Sequence, residues 1–219
     1  SVILEVTMSN YENKIIELKN KHFDLLIENI TSTIVPCDLS DETIRLLTNW
    51  RDTYNIFFAS KFNVSEKRTK QWLEKSYIFR DDQILFLIIV NNKKIGHIGI
   101  IDYNKSENCA EIGHVLRGDR ENFPGVMKIA LTKILEIGFD ELHLDKFILK
   151  VLSDNEKAIS LYEICGFTLV DKIPLEKILT SDGWYWSPTT KNDNVSEKYH
   201  NIMQITKEQF KNTGKIGAP

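Results

Sequence analysis

The chain has 219 residues, 42% of them apolar, enough to bury a full core in one domain. With 28 Lys plus Arg against 31 Asp plus Glu, the formal charge of -3 gives no broad field for holding nucleic acid, so any basic site must be local. Its longest apolar run, Ile84 to Val90, is far short of the roughly 20 residues that cross a bilayer. The start, Val2 to Val6, lacks the basic flank and cleavage site of a secretory signal, which makes the cytoplasm the expected compartment. Cys37, Cys109 and Cys165 are odd in number and widely spaced, so neither a disulfide framework nor a metal site is expected.

In chain order, residues 10 to 30 hold Ile15, Leu18, Leu25, Leu26 and Ile30 among charges, only loosely helical in period, so 1–30 reads as an N-terminal extension of uncertain structure. Thr43 to Phe58 follows the capping candidates Asp38 to Asp41 and carries Ile44, Leu47, Trp50, Arg51 and Tyr54 at helical spacing. Ser65 to Tyr77 repeats that logic, with Glu66 in the first turn. Ile84–Val90, Ile95–Asp102 and Cys109–Leu116 then read as three consecutive strands, the first two joined by an Asn91-Asn92 turn. Val126 to Phe139 has the wide apolar stripe of a helix packed on a sheet. Next come strand Phe147–Leu152, helix Asn155–Cys165 closed by Gly166, and strand Phe167–Ile173. A polar Trp-containing loop, Asp182 to Glu197, precedes a last strand, Asn201–Thr206, and 211–219 reads as a flexible tail. The expected class is α+β, a mixed α/β layer fold.

Two stretches carry chemistry. The junction Arg117 to Met127 runs from a strand through a loop with two glycines straight into a helix. Unpartnered helical N–H groups and the macrodipole favour an anion there, Gly125 allows close backbone approach, and Arg117 or Arg120 supplies charge. An ordinary strand-to-helix loop fits the same residues. In the second stretch, Asn155 and Tyr162 are seven residues apart and share a helix face, and Ala158 between them leaves room for a ligand. A capping Asn and a packing Tyr would look the same.

Residues 155 to 167 (NEKAISLYEICGF) match the N-x-x-A-x-x-x-Y-x-x-x-G-F pattern of the GNAT superfamily of N-acetyltransferases at every named position. The loop Arg120-Glu121-Asn122-Phe123-Pro124-Gly125 resembles the family's (Q/R)-x-x-G-x-(G/A) motif, with Phe123 where the first glycine is usual. Glu111 to Leu116 resembles the family's fourth strand, and Leu47 to Arg51 the helix-one "WR" of amino-sugar and ribosomal-protein acetyltransferases. The resemblance spans about residues 31 to 170 and implies a GNAT-like domain over 31–210. Its core would be a mixed sheet of about six to seven strands, an antiparallel meander followed by a splayed parallel pair, flanked by helices.

It further implies acetyl-CoA as co-substrate, with the pyrophosphate on Arg117, Arg120, Asn122, Phe123, Gly125 and Val126. The pantetheine arm would run between the splayed strands, along the backbone of Val115 to Arg117 and beside Asn155, Ala158 and Tyr162. A strand N–H would stabilise the oxyanion. The matching tyrosine, Tyr162, would protonate the departing thiolate. A lysine-like acceptor amine is only about 0.1% neutral at pH 7, so a base is useful. Glu111 through a water is the first candidate and His114 the second; three apart on a strand, they are expected to point to opposite faces.

The acceptor must be read by the first two helices and the Asp182 to Glu197 loop, where Trp184, Tyr185 and Trp186 could form a stacking wall or fill an apolar gap. The Trp50-Arg51 pair and the absence of a basic surface favour a small-molecule amine, an amino sugar either free or nucleotide-linked. Two other readings remain: acetylation of a protein N-terminus, such as a ribosomal protein's, and an acyl-CoA-binding domain without turnover. No nucleic-acid or membrane partner is expected, and a homodimer is left open.

Overall fold

The computed structural model describes residues 9–189, 196 and 198–213. The apolar start Val2 to Val6, the centre of the 182–197 segment and residues 214–219 lie outside them. A ten-stranded mixed sheet is flanked by helices, not the six to seven strands expected.

The chain opens with α1 (Asn10–Leu18), started by a capping box between Ser9 and Glu12. Its apolar positions Tyr11, Ile15 and Leu18 sit one turn apart and are buried, so this part of the extension packs on the sheet. Two strands unforeseen in the sequence follow, β1 (Phe23–Asp24) and β2 (Ser32–Pro36). Then come α2 (Asp41–Thr53), capped by Ser40, and the two-residue β3 (Ser60–Lys61). Helix α3 (Glu66–Leu73), capped by Ser65, continues into a π-turn at Glu74–Ile78.

The meander is β4 (Ile84–Val90), β5 (Lys93–Asn104) and β6 (Cys109–Arg117), paired antiparallel. Asn91 and Asn92 both take positive φ, 48° and 64°, which suits a tight hairpin turn. Helix α4 (Val126–Asp140) crosses to β7 (Lys146–Leu152), which pairs parallel with β6. After α5 (Glu156–Ile164), Gly166 at φ 97° closes the helix. Strand β8 (Thr168–Thr180) runs well past the expected end at Ile173. The Trp-containing segment forms β9 (Gly183–Pro188) rather than a loop, because Trp184 and Trp186 alternate with Tyr185 against β8. Strand β10 (Lys198–Thr206) leads into α6 (Lys207–Thr213), so residues 211–213 of the expected tail are helical. The order is β1-β2-β4-β5-β6-β7-β10-β8-β9-β3.

The sheet separates two cores. Ile84, Phe86, Ile88 and Val90 of β4 face α4, with Ile98, Ala110 and Ile112, while Leu85 and Leu87 face α2 and α3. Burial on both faces explains why β4 is a continuous apolar run. On the second face Leu47 and Trp50 of α2 meet Leu73 and Tyr77.

Candidate active site

Two local features open the sheet at its centre. The parallel pairing of β6 and β7 stops at Glu111 opposite Ile148, although the strands continue to Arg117 and Leu152. Their facing edges beyond that point are free to bind. The second feature is a bulge in β6: His97 pairs with Leu116 and Gly99 with Gly113, so β6 carries one extra residue there. His114, in the bulge, takes φ 49°.

The bulge corrects one sequence expectation. Alternation along β6 reverses across it: Ala110 and Ile112 face the α4 core, then Val115 packs on that side while Leu116 joins the other. Glu111 and His114, expected on opposite faces, therefore line the same cleft. This cleft, about 800 Å³, is also lined by Val115, Leu116, Arg117, Arg120, Gly125, Asn155, Ala158 and Tyr162.

At the phosphate-type end, Gly125 takes φ 83° as N-cap of α4, with no side-chain cap and, among the described residues, nothing within 4 Å of where a Cβ would be. Of the first α4 N–H groups, Val126 donates to the Phe123 carbonyl at 3.3 Å and Lys128 to the Gly125 carbonyl at 3.1 Å, so among the described residues the Met127 N–H is the one left open to an anion. Arg120 lies over Tyr54 and Phe57, its guanidinium carbon 4.2 and 4.6 Å from the ring centroids, and lines the cleft. Arg117 instead shapes the loop, donating to the carbonyls of Asp119 at 2.8 Å, Asn122, and Phe123 at 3.4 Å. Phe123, Asn122 and Val126 do not line the cleft; Val126 is in the core. Phe123 takes φ 59°, a left-handed conformation that costs a non-glycine residue about 1–2 kcal/mol, which accounts for a glycine being usual there. Lys128 and Lys157, in the opening turns of α4 and α5, also line the cleft. Both were missed in the sequence, where each reads as an ordinary surface lysine. A cleft with basic residues, a helix start without a side-chain cap and two strand edges that part beyond Glu111 fits a diphosphate carrying an amide-bearing arm.

On α5, Asn155 accepts from the Ala158 N–H at 3.3 Å, so it caps the helix and lines the cleft at once. Tyr162 is 6% exposed, its ring edge-on to Phe167, and burial raises its phenol pKa so that it keeps its proton at any physiological pH. Glu111 receives Lys150 Nζ at 2.6 Å. Burial raises its carboxyl pKa and the lysine opposes that rise. His114 is exposed to the cleft, yet protein crowds the ring and lowers its pKa, to about 4. Water in the open cleft moderates that shift, and a ligand filling the cleft restores it.

A second pocket, about 340 Å³, joins the first at Phe58, Ser60, His114 and Leu116. Its walls include Arg51, Phe62, Arg68 and Trp72. Arg51 lies over Phe58 at 3.9 Å and Phe62 at 4.7 Å and donates to the Ser60 carbonyl at 2.7 Å. Its Nη1 is buried without a hydrogen-bond partner among the described residues, and burial lowers its pKa, to about 10. Arg68 pairs with Asp182 at 2.5 Å. Among the described residues, neither Asp nor Glu lines this pocket. The other expected acceptor residues lie elsewhere. Trp50 is 7% exposed and packs beneath Gly118, while Trp184 and Trp186, under Lys177 and Lys198, line neither cavity.

Residues 33–168 match the Acetyltransferase (GNAT) domain family. The chain is 27% identical over 138 residues to the acetyltransferase PseH of Campylobacter jejuni, covering 62% of this chain and 83% of that protein. A second Campylobacter jejuni PseH is 24% identical over 137 residues, with the same coverage. Among solved structures, spermidine N-acetyltransferase of Vibrio cholerae in complex with CoA and spermine superposes with a TM-score of 0.62 at 20% identity, over 81% of this chain and 97% of that one. A SpeG chimera of the Vibrio cholerae and hSSAT enzymes gives 0.65 at 19% identity, over 83% and 98%. These structural likenesses are of fold. Among the described residues, no helix is long and apolar enough to cross a membrane.

Proposed function

We propose that this chain, which belongs to the GNAT acetyltransferase family and uses acetyl-CoA, moves the acetyl group to the primary amine of an amino sugar, preferably a nucleotide-linked one. The pyrophosphate is held by the α4 N-terminus and Gly125, with Arg120, Lys128 and Lys157 supplying charge. The pantetheine arm lies in the gap between β6 and β7, against the backbone of Val115 to Arg117 and beside Asn155 and Ala158. The amine then attacks the thioester directly, so no side-chain nucleophile is needed. Glu111 takes the amine proton through a water, and Tyr162 gives its phenol proton to the CoA thiolate. The three cysteines are free and buried, in keeping with a reducing compartment such as the cytoplasm.

The acceptor class rests on one observation, an Nη1 of Arg51 that has no partner among the described residues, in an aromatic pocket to which those residues contribute no carboxylate. A half-buried cation with a vacant donor favours a ligand carrying negative charge and opposes one carrying several positive charges. The phosphates of a nucleotide-linked sugar satisfy that demand, its rings suit Phe58, Phe62 and Trp72, and spermidine satisfies neither. CoA-thiol release is therefore expected with the highest kcat/KM on a nucleotide-linked amino sugar, above free glucosamine, spermidine and N-terminal peptides. Arg51→Gln should cut that value by about 10- to 100-fold, the worth of a charged hydrogen bond, and leave acetyl-CoA affinity unchanged. Fastest turnover of spermidine, undiminished in Arg51→Gln, would overturn the acceptor assignment.

A further inference from the structure

Tyr77, His114 and His97 form a hydrogen-bonded chain that the proposed reaction leaves unused. Tyr77 lies in the π-turn after α3, an irregularity often found at functional sites, and is 2% exposed. Its phenol oxygen meets His114 Nδ1, its one hydrogen-bond partner among the described residues. The hydroxyl is seated over Gly99 of β5, where a Cβ would come within 2.9 Å of it. On the other side, His97 Nδ1 lies 2.6 Å from the His114 carbonyl. A carbonyl only accepts, so His97 carries its proton on Nδ1 and pins the bulge from beneath.

The same logic fixes the tautomer of His114. Burial raises the Tyr77 pKa well above 10, so the phenol keeps its proton. That proton has one acceptor within reach, Nδ1 of His114; turned elsewhere it would be buried and unpaired, at a cost of about 1–3 kcal/mol. The hydroxyl therefore donates to Nδ1, and the His114 proton sits on Nε2, the ring nitrogen without a partner among the described residues. The ring is exposed where the two cavities meet. We propose that His114 works in this cleft as a neutral hydrogen-bond donor, presenting Nε2–H to an oxygen of the bound substrates, and that Tyr77 is the positioning residue that sets this tautomer. A lowered imidazole pKa keeps the donor neutral. The inference rests on the acetyl-transfer reading of the cleft and assigns His114 a role other than that of base.

Two-bond 1H–15N correlation spectra of 15N-histidine-labelled protein read the tautomer directly. They should show a pyridine-type Nδ1 and a pyrrole-type Nε2 for His114 between pH 6 and 8, and a mixture of tautomers in Tyr77→Phe. Glutamine can donate but cannot take up the proton, so His114→Gln should keep at least about tenfold more kcat than His114→Leu, which forfeits the donor and with it about 10²- to 10³-fold. A wild-type His114 protonated on Nδ1, or equal losses in the two variants, would overturn the proposal. Calorimetry with acetyl-CoA on the same preparation separates the two readings: absent binding would overturn the acetyl-transfer reading itself, whereas intact binding with an Nδ1-protonated ring would overturn the donor role alone.

Discussion

Replacing Tyr162 by Phe is expected to lower kcat by about 10²-fold or more while leaving the acetyl-CoA dissociation constant within about twofold of the parent. The substitution removes one oxygen from a buried ring and keeps the edge-on contact with Phe167, so packing changes little. The phenol is protonated throughout the physiological range because burial opposes the phenolate. A phenol that keeps its proton can offer it as a hydrogen bond to the thiolate while negative charge develops on the departing sulfur. Removing it leaves thiolate departure unassisted, and the loss falls on turnover rather than binding. Steady-state kinetics with calorimetric titration of acetyl-CoA checks both halves. A kcat within about threefold of the parent would remove Tyr162 from the proposed mechanism.

Trp50→Ala is expected to destabilise the protein by about 3–5 kcal/mol, a large share of the roughly 5–15 kcal/mol typical of a folded domain. The indole fills the core between α2 and the sheet, close to the His97 ring, and a Cβ added to Gly118 would come within 1.9 Å of it. Tyr54 of the same segment donates to the Gly118 carbonyl at 2.9 Å. Trp50 and Tyr54 therefore fix the point where β6 turns into the phosphate-type loop. Urea unfolding should show a lower midpoint in Trp50→Ala, and the milder Trp50→Phe should retain the acceptor KM. Unchanged stability in Trp50→Ala, with a tenfold rise in acceptor KM in Trp50→Phe, would instead put the indole against the acceptor.

Much of this architecture is legible in the sequence because its signals are local. Ser40 and Ser65 cap helices, Asn91-Asn92 turns a hairpin, and Asn155 to Phe167 carries a spaced motif. What was not legible depends on distant partners. β1 and β3 are two-residue strands that exist only through pairing with β2 and β9. β9 read as a loop because its Trp-rich alternation has meaning only beside β8. The bulge at His114 needs the register of β5, and without it simple alternation separated Glu111 from His114. Tyr77 reads as the apolar end of a helix, and only the π-turn with the room above Gly99 brings its hydroxyl to His114. The pattern Arg51 shares with Trp50 could not separate the residue that lines a pocket from the one that lies in the core.

Acetyl-CoA is expected to bind in the gap between β6 and β7 with its phosphates at Gly125. Calorimetric titration of the parent and of Gly125→Trp with acetyl-CoA tests it. An indole at position 125 would project into space that is now empty around that Cα, and a side chain at φ 83° adds strain. Saturable binding of one acetyl-CoA per chain, weakened at least about tenfold in the variant, is the predicted result. Binding undiminished in Gly125→Trp, or none in the parent at near-millimolar acetyl-CoA, would contradict it.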